Sequence, residues 1–213
     1  AGELSTQPPF DSDDVWRVNL DLRQSPFLTQ GIRRAMDVLP PDTFVWASGI
    51  AQNAGYLDLS FSDVDEILNV HLRGPLHLLS RVLNHAKSMG RAIQLVVVSS
   101  TSAYRARDDE EVYCLVNAGK SAFARQVSRT LARDLPGSCV LLANVGGMNT
   151  PFWQGSATDA SSFLDPSLIA ELLWHRTLSL RDVHRPFEEV NILRSHTEPY
   201  DVVMDPQTPE LPF

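Results

Sequence analysis

Short runs rich in valine and leucine alternate along the chain with longer stretches whose apolar residues fall three and four apart. Val15–Leu20 (VWRVNL), Phe44–Ala47 (FVWA), Gln94–Ser99 (QLVVVS), Val140–Asn144 (VLLAN) and Glu189–Leu193 (EVNIL) are bounded by polar, Gly or Pro signals. Runs of this length and composition predict strands buried on both faces. Between them, Ser25–Val38, Asp63–Met89, Glu111–Leu135 and Pro166–Leu178 carry the helical period. In the second of these, Val64, Ile67, Leu68, His71, Leu72, Leu78, Leu79 and Leu83 form the stripe expected to face inward. Strand and helix in alternation predict an α/β fold, a doubly wound parallel sheet with helices on both faces. Thr150–Asp165 (TPFWQGSATDASSFLD) breaks the rhythm and reads as a long surface loop of the kind that forms lids. The segment from Ser195 on, with four prolines and no helical period, reads as an extended arm. The expected organisation is one domain over residues 1–194 and a C-terminal tail over residues 195–213.

Composition narrows the function classes. With 213 residues and 43% hydrophobic content the chain can bury one substantial core. Its formal charge of -8, and the lack of any Lys/Arg cluster, argue against nucleic acid as a partner. Cys114 and Cys139 have no metal-ligand spacing and read as free thiols in a reducing compartment. The histidines show no HExxH or paired spacing, so no metal is expected. The apolar runs are far shorter than a membrane span, and no membrane contact and a cytoplasmic location are expected.

The chemistry concentrates in Gln94–Phe123, where a serine pair, a tyrosine and a lysine follow a hydrophobic strand. With its surroundings this resembles the short-chain dehydrogenase/reductase family, and within it the sepiapterin-reductase-like group, from about Val15 to Leu193. WRVNLDLR looks like the family's third strand, ending in an Asp-Leu pair near the adenine ring; FVWASGI stands at its Asn-Asn-Ala-Gly strand end. VHLRGPLHL is similar to its fourth helix, VVVSS to the strand carrying the catalytic serine, and YCLVNAGKSAF to the helix carrying tyrosine and lysine. VGGMNTPF occupies the place of Pro-Gly-x-x-x-Thr, which wraps the nicotinamide. The resemblance implies a Rossmann-like fold and hydride transfer between NADP or NAD and a small-molecule carbonyl or alcohol. It also implies a homodimer or homotetramer paired through the fourth and fifth helices, with Leu76, Leu79, Val82, Phe123 and Val127 as candidates for that face and ordinary core residues as the alternative.

By the same resemblance Ser100 polarises the substrate oxygen, Tyr113 passes the proton, and Lys120 lowers the tyrosine pKa and holds the nicotinamide ribose. His71 stands where an asparagine anchors a proton-relay water, and an ordinary core histidine is the alternative. Asp21, Ala47, Gly49, Lys120, Gly146 and Thr150 are the implied cofactor contacts. Ser100 and Tyr113 keep the family's interval, but the family's lysine lies four positions after the tyrosine, where this chain has Asn117. Lys120 lies on nearly the same helix face, raised by about 10 Å rather than about 6 Å. Either Leu115, Val116 and Asn117 are an insertion and Lys120 keeps the lysine's place, or Asn117 replaces the lysine. A Tyr-x6-Lys spacing also occurs in bacterial enoyl-acyl-carrier-protein reductases. Trp46 and Val145 depart from the family's Asn and Pro.

The family's opening strand and Gly-rich Thr-Gly-x-x-x-Gly-x-Gly turn have no counterpart before Val15, so the fold is expected to be N-terminally truncated relative to the family. Two functions follow: an NAD(P)(H)-dependent carbonyl reductase, or a catalytically inactive homologue serving as a binding or assembly module. Phe152, Trp153 and Phe163 in the loop suggest an apolar or aromatic carbonyl compound. A chain beginning at Ala1 is expected to close the gap left by two strands by pairing Val15–Leu20 with Phe44–Ser48, or with a partner's strand.

Overall fold

A computed structural model describes residues 21–23, 41–154, 156, 158–195 and 199–204. The predicted strand Val15–Leu20, the predicted helix Ser25–Val38 and the closure of the sheet between the first two predicted strands lie outside them. Within them the sequence periods become a five-stranded sheet in the order β1-β2-β3-β4-β5. The strands are β1 (Thr43–Trp46), β2 (Gln94–Ser100), β3 (Cys139–Val145), β4 (Phe187–Leu193) and β5 (Asp201–Met204). The first four run parallel, and β5, drawn from the C-terminal tail, runs antiparallel on β4 with Asn191 opposite Val203.

Parallel strands need covered faces, and among the described residues four helices supply them. They are α1 (Phe61–Leu68), α2 (Gly74–Ser88), α3 (Glu111–Asp134) and α4 (Pro166–Asp182). On one face Trp46, Leu95, Val97, Val140 and Leu142 pack with Leu79, Val82, Ala124, Val127 and Leu131. On the other, Val96, Leu141, Ala143, Val190 and Ile192 pack with Ile169, Leu173 and Leu180 of α4. Leu79, Val82 and Val127 are buried in the first of these cores, and Leu76 and Phe123 are partly buried against it.

The single helix expected over Asp63–Met89 is two helices joined by a π turn, Asn69–Arg73, in which the Gly74 amide reaches back to the Asn69 carbonyl. A capping box opens it, Ser60 Oγ accepting from the Asp63 amide while Asp63 accepts from the Ser60 amide. At Gly74 a Cβ would stand 2.8 Å from the Leu22 carbonyl oxygen, so glycine there permits a close backbone approach. The π turn matters because such turns re-aim side chains and recur at functional sites. Here the turn carries His71.

A buried polar chain crosses the sheet. Glu189 on β4 takes Arg125 in a two-pronged pair at 2.6 and 2.8 Å and accepts from Asn144 Nδ2 at 2.9 Å. Asn144 Oδ1 accepts from Ser121 Oγ, which lies 3.1 Å from Ser99 Oγ, and Ser99 lies 3.1 Å from the Asn117 carbonyl. The two hydroxyl protons cannot serve all three serine contacts at once. The chain ties α3, through Asn117, Ser121 and Arg125, to β2, β3 and β4. Glu189→Ala would strand Arg125 and leave Asn144 Nδ2 with Asn191 Oδ1, 3.1 Å away, as its remaining acceptor. Because Arg125 is partly exposed the loss is expected at about 2–3 kcal/mol, below that of a fully buried pair, and urea unfolding measures it.

Candidate functional site

Open parallel sheets bind ligands at the carboxyl ends of their strands, where loops and helix starts converge. There the described residues enclose a cleft of about 420 Å3, lined by the ends of β1, β2 and β3, by α3 and by the loop after β3. Ser100, Tyr113, Lys120, His71, Ala47, Gly49, Gly146 and Thr150, eight residues named from the sequence, all line it. Asp21 does not join them. Its carboxylate is bound by Arg23 at 2.8 and 3.0 Å, and Arg23 reaches on to Glu66 of α1.

Ser100 ends β2, its hydroxyl accepting from the Ser102 amide at 3.1 Å. Tyr113 enters from the first turn of α3, which is fixed by Gln52 accepting from the Val112 and Tyr113 amides at 2.9 and 3.0 Å. Burial raises the phenol pKa above its usual value, and hydrogen bonds from Ser100 and Asn117 pull the other way. The Lys120 ammonium donates to the Ser48 carbonyl at 2.9 Å, with the Trp46 ring centroid 5.9 Å away. Only 2% exposed, the amine is pushed down to about 7 by desolvation. Two of its three protons remain for a ligand in the cleft.

Asn117, four positions after Tyr113, donates from Nδ2 to the Tyr113 carbonyl at 2.8 Å, and its side chain also acts to lower the phenol pKa. Lys120, one turn further along α3, reaches across to the Ser48 carbonyl just beyond β1. Both side chains line the cleft with Tyr113.

His71 hangs from the π turn into the same cleft. Its Nε2 lies 2.9 Å from the Ile50 amide nitrogen and 2.8 Å from the Ile50 carbonyl oxygen, one pairing for each tautomer. The ring is buried and its Nδ1 has no hydrogen-bond partner among the described residues. Desolvation, with the Lys120 charge adding to it, pushes the imidazole down to about 3, against the Ile50 hydrogen bond, so it is neutral at ordinary pH. Gly49 makes room for it, since a Cβ there would stand 2.8 Å from His71 Cε1. The ring centroid lies 5.4 Å from that of Tyr113.

From Tyr113 a run of edge-on aromatic contacts leads through Phe152, Trp153 and Phe163, with centroids 5.8, 5.0 and 5.2 Å apart. The loop bearing them closes by a bridge between Met148 and Leu164, and Trp153 Nε1 donates to the Met148 carbonyl at 2.8 Å. Arg107, Glu110 and Arg194 also line the cleft and were not singled out from the sequence. Arg107 sits in a mixed-charge run that reads as solvated surface. Arg194 follows β4 directly, and its place after a parallel strand's carboxyl end was the signal that could have marked it.

A family model described as Enoyl-(Acyl carrier protein) reductase matches residues 7–165 of the chain. The chain belongs to the short-chain dehydrogenase/reductase family. Solved structures of that fold agree. An alcohol dehydrogenase from the archaeon Thermococcus sibiricus, complexed with 5-hydroxy-NADP, superposes with TM-score 0.67 at 21% identity over 84% of this chain and 74% of its own. A 3-ketoacyl-(acyl-carrier-protein) reductase from Brucella melitensis, complexed with NADH, does so with TM-score 0.68 at 17% identity over 80% and 74%. A 3-oxoacyl (acyl-carrier-protein) reductase from Agrobacterium tumefaciens C58 with NADP bound reaches TM-score 0.56 at 21% identity over 63% of this chain. The chain covers 51% of the length of that last structure. No curated protein matches the chain significantly. Among the described residues no helix is long and apolar enough to cross a membrane, and no cluster of His, Cys, Asp and Glu could hold a metal ion.

Proposed function

We propose that the chain is an NAD(P)(H)-dependent oxidoreductase of the sepiapterin-reductase-like group, acting on the carbonyl or alcohol of a small molecule. The observation that carries this is the meeting, in one cleft at the carboxyl ends of the strands, of Ser100, a half-buried Tyr113 and a buried Lys120 with free donors. Those residues fit the nicotinamide end of a dinucleotide. In this reading Lys120 with Ala47 and Gly49 beyond β1 would meet the ribose and the Gly146 to Thr150 turn the nicotinamide, which their shared place in the cleft lining supports. A nicotinamide cofactor bound there supplies or takes up the hydride.

The chain's own groups handle the oxygen. Ser100 donates to the carbonyl oxygen and draws charge onto it. Tyr113, neutral because burial raises its pKa, gives its proton to that oxygen as the alcohol forms. Neutral His71, with Nδ1 unpartnered beside Tyr113, can hold the water that refills the phenol from outside. Phe152 and Trp153 cover the reacting end and exclude water from it.

A second reading, an inactive homologue that binds or assembles, draws on Asn117 facing the phenol in place of a cation. The test is carbonyl-dependent oxidation of NADPH and NADH by the purified chain, with cofactor binding followed separately by nicotinamide fluorescence. Binding with turnover is the expected result. Binding without turnover across a broad panel of ketones and aldehydes favours the second reading.

A further inference from the structure

We propose that the rim of this cleft receives an anionic group on the substrate, so that the carbonyl compound handled here is an aromatic carboxylate whose carboxylate is met by Arg107 and Arg194. The inference rests on the oxidoreductase reading above and adds a substrate class to it.

The chain as a whole is acidic, with 26 Asp and Glu against 18 Lys and Arg. Its arginines elsewhere are largely neutralised by carboxylates, as in the pairs of Arg23, Arg91, Arg125, Arg133, Arg176 and Arg185. Arg107 and Arg194 differ. Neither has a carboxylate within ion-pair distance among the described residues, and both line the cleft.

Among the described residues the Arg107 guanidinium makes a long contact, from Nη2 to Thr101 Oγ1 at 3.5 Å, and Thr101 is the neighbour of Ser100 in the chain. Arg194 lies over the Phe163 ring, 4.7 Å from its centroid. Glu110, the carboxylate in the lining, accepts from Ser102 Oγ at 3.2 Å. With Lys120 inside and two arginines at the mouth, the cleft is a cationic spot on an anionic molecule, which concentrates anions there.

The aromatic body follows from the other wall. Phe152, Trp153 and Phe163 present edges and faces to the same space, and offset aromatic stacking favours a flat apolar group. A carbonyl at Ser100 and Tyr113, a ring against the loop and a carboxylate at the rim together describe an aromatic oxo acid. Phosphates of the cofactor are the other source of negative charge that two arginines could meet, so the test separates the two.

Calorimetric titration of the full chain with benzoylformate and with its methyl ester, with and without NADP+, compares acid and neutral forms of one shape. At low salt the acid is expected to bind about tenfold tighter, as for charged contacts at a partly exposed rim. That preference is expected to shrink towards one at high salt, and in Arg107→Met and Arg194→Met. The salt dependence reads the parent chain and stands even if a variant folds poorly. Equal binding of acid and ester at low salt overturns the proposal. So does a pair of variants that keep the acid preference but bind NADP+ more weakly, since the arginines then serve the cofactor's phosphates. Arginine-dependent acid binding without NADPH oxidation on either compound or on any member of the ketone and aldehyde panel would sustain the anionic rim and sink the oxidoreductase reading.

Discussion

Tyr113→Phe is expected to lower carbonyl turnover by about 10^2- to 10^4-fold, the usual contribution of a positioned proton donor, while cofactor affinity changes little. The substitution removes one oxygen from a ring whose edges already pack on His71 and Phe152, so the fold should tolerate it. Steady-state turnover beside a cofactor titration checks both halves. Unchanged turnover would exclude Tyr113 as the donor. Two further substitutions divide the lysine question. Lys120→Ala should damage both turnover and cofactor affinity if the ammonium holds the ribose. Asn117→Ala should act on turnover alone if its contact with the phenol is what orients the ring. A larger turnover loss for Asn117→Ala than for Lys120→Ala would assign the family lysine's tyrosine-directed role to Asn117.

Lys120→Met is expected to stabilise the chain at pH 7 and below by about 2 kcal/mol or more, because it removes a buried ammonium. The folded-state pKa of about 7 lies below the ordinary value of 10.5. Between these the unfolded chain holds a proton that the folded chain does not. The stability cost of Lys120 is therefore complete below about pH 7 and is relieved as pH rises towards 10.5. His71, ordinarily near 6.5 and here about 3, adds a loss of stability as pH falls through that interval. The raised pKa values of Tyr113 and the two cysteines act in the alkaline range with the opposite slope. Denaturant unfolding of parent and variant across pH 6 to 10 isolates Lys120 as the difference between the curves, with the gap expected to close on the alkaline side. A gap that is constant with pH would mean that the amine is not desolvated.

The helical and strand periods were enough to place β1 to β4 and the helices within a few residues, because a two-sided parallel sheet demands apolar runs at every strand and striped helices between them. Spacing also brought Ser100 to Tyr113 within one site, since both hang on regular elements of known rise. Four things depended on tertiary contacts. A π turn at Asn69–Arg73 has no sequence period of its own, yet it decides that His71 points into the cleft. The polar chain of Glu189, Asn144 and Ser121 crosses three strands and a helix, so its partners are far apart in sequence and none is visible from its neighbours. β5 forms from a proline-rich tail because the free edge of β4 offers hydrogen bonds that the tail alone lacks. The seven-residue step from Tyr113 to Lys120 was plain in the sequence. Only packing against the end of β1 decided that the ammonium meets the Ser48 carbonyl, because helix rise sets where a side chain starts and its buried partners set where it ends.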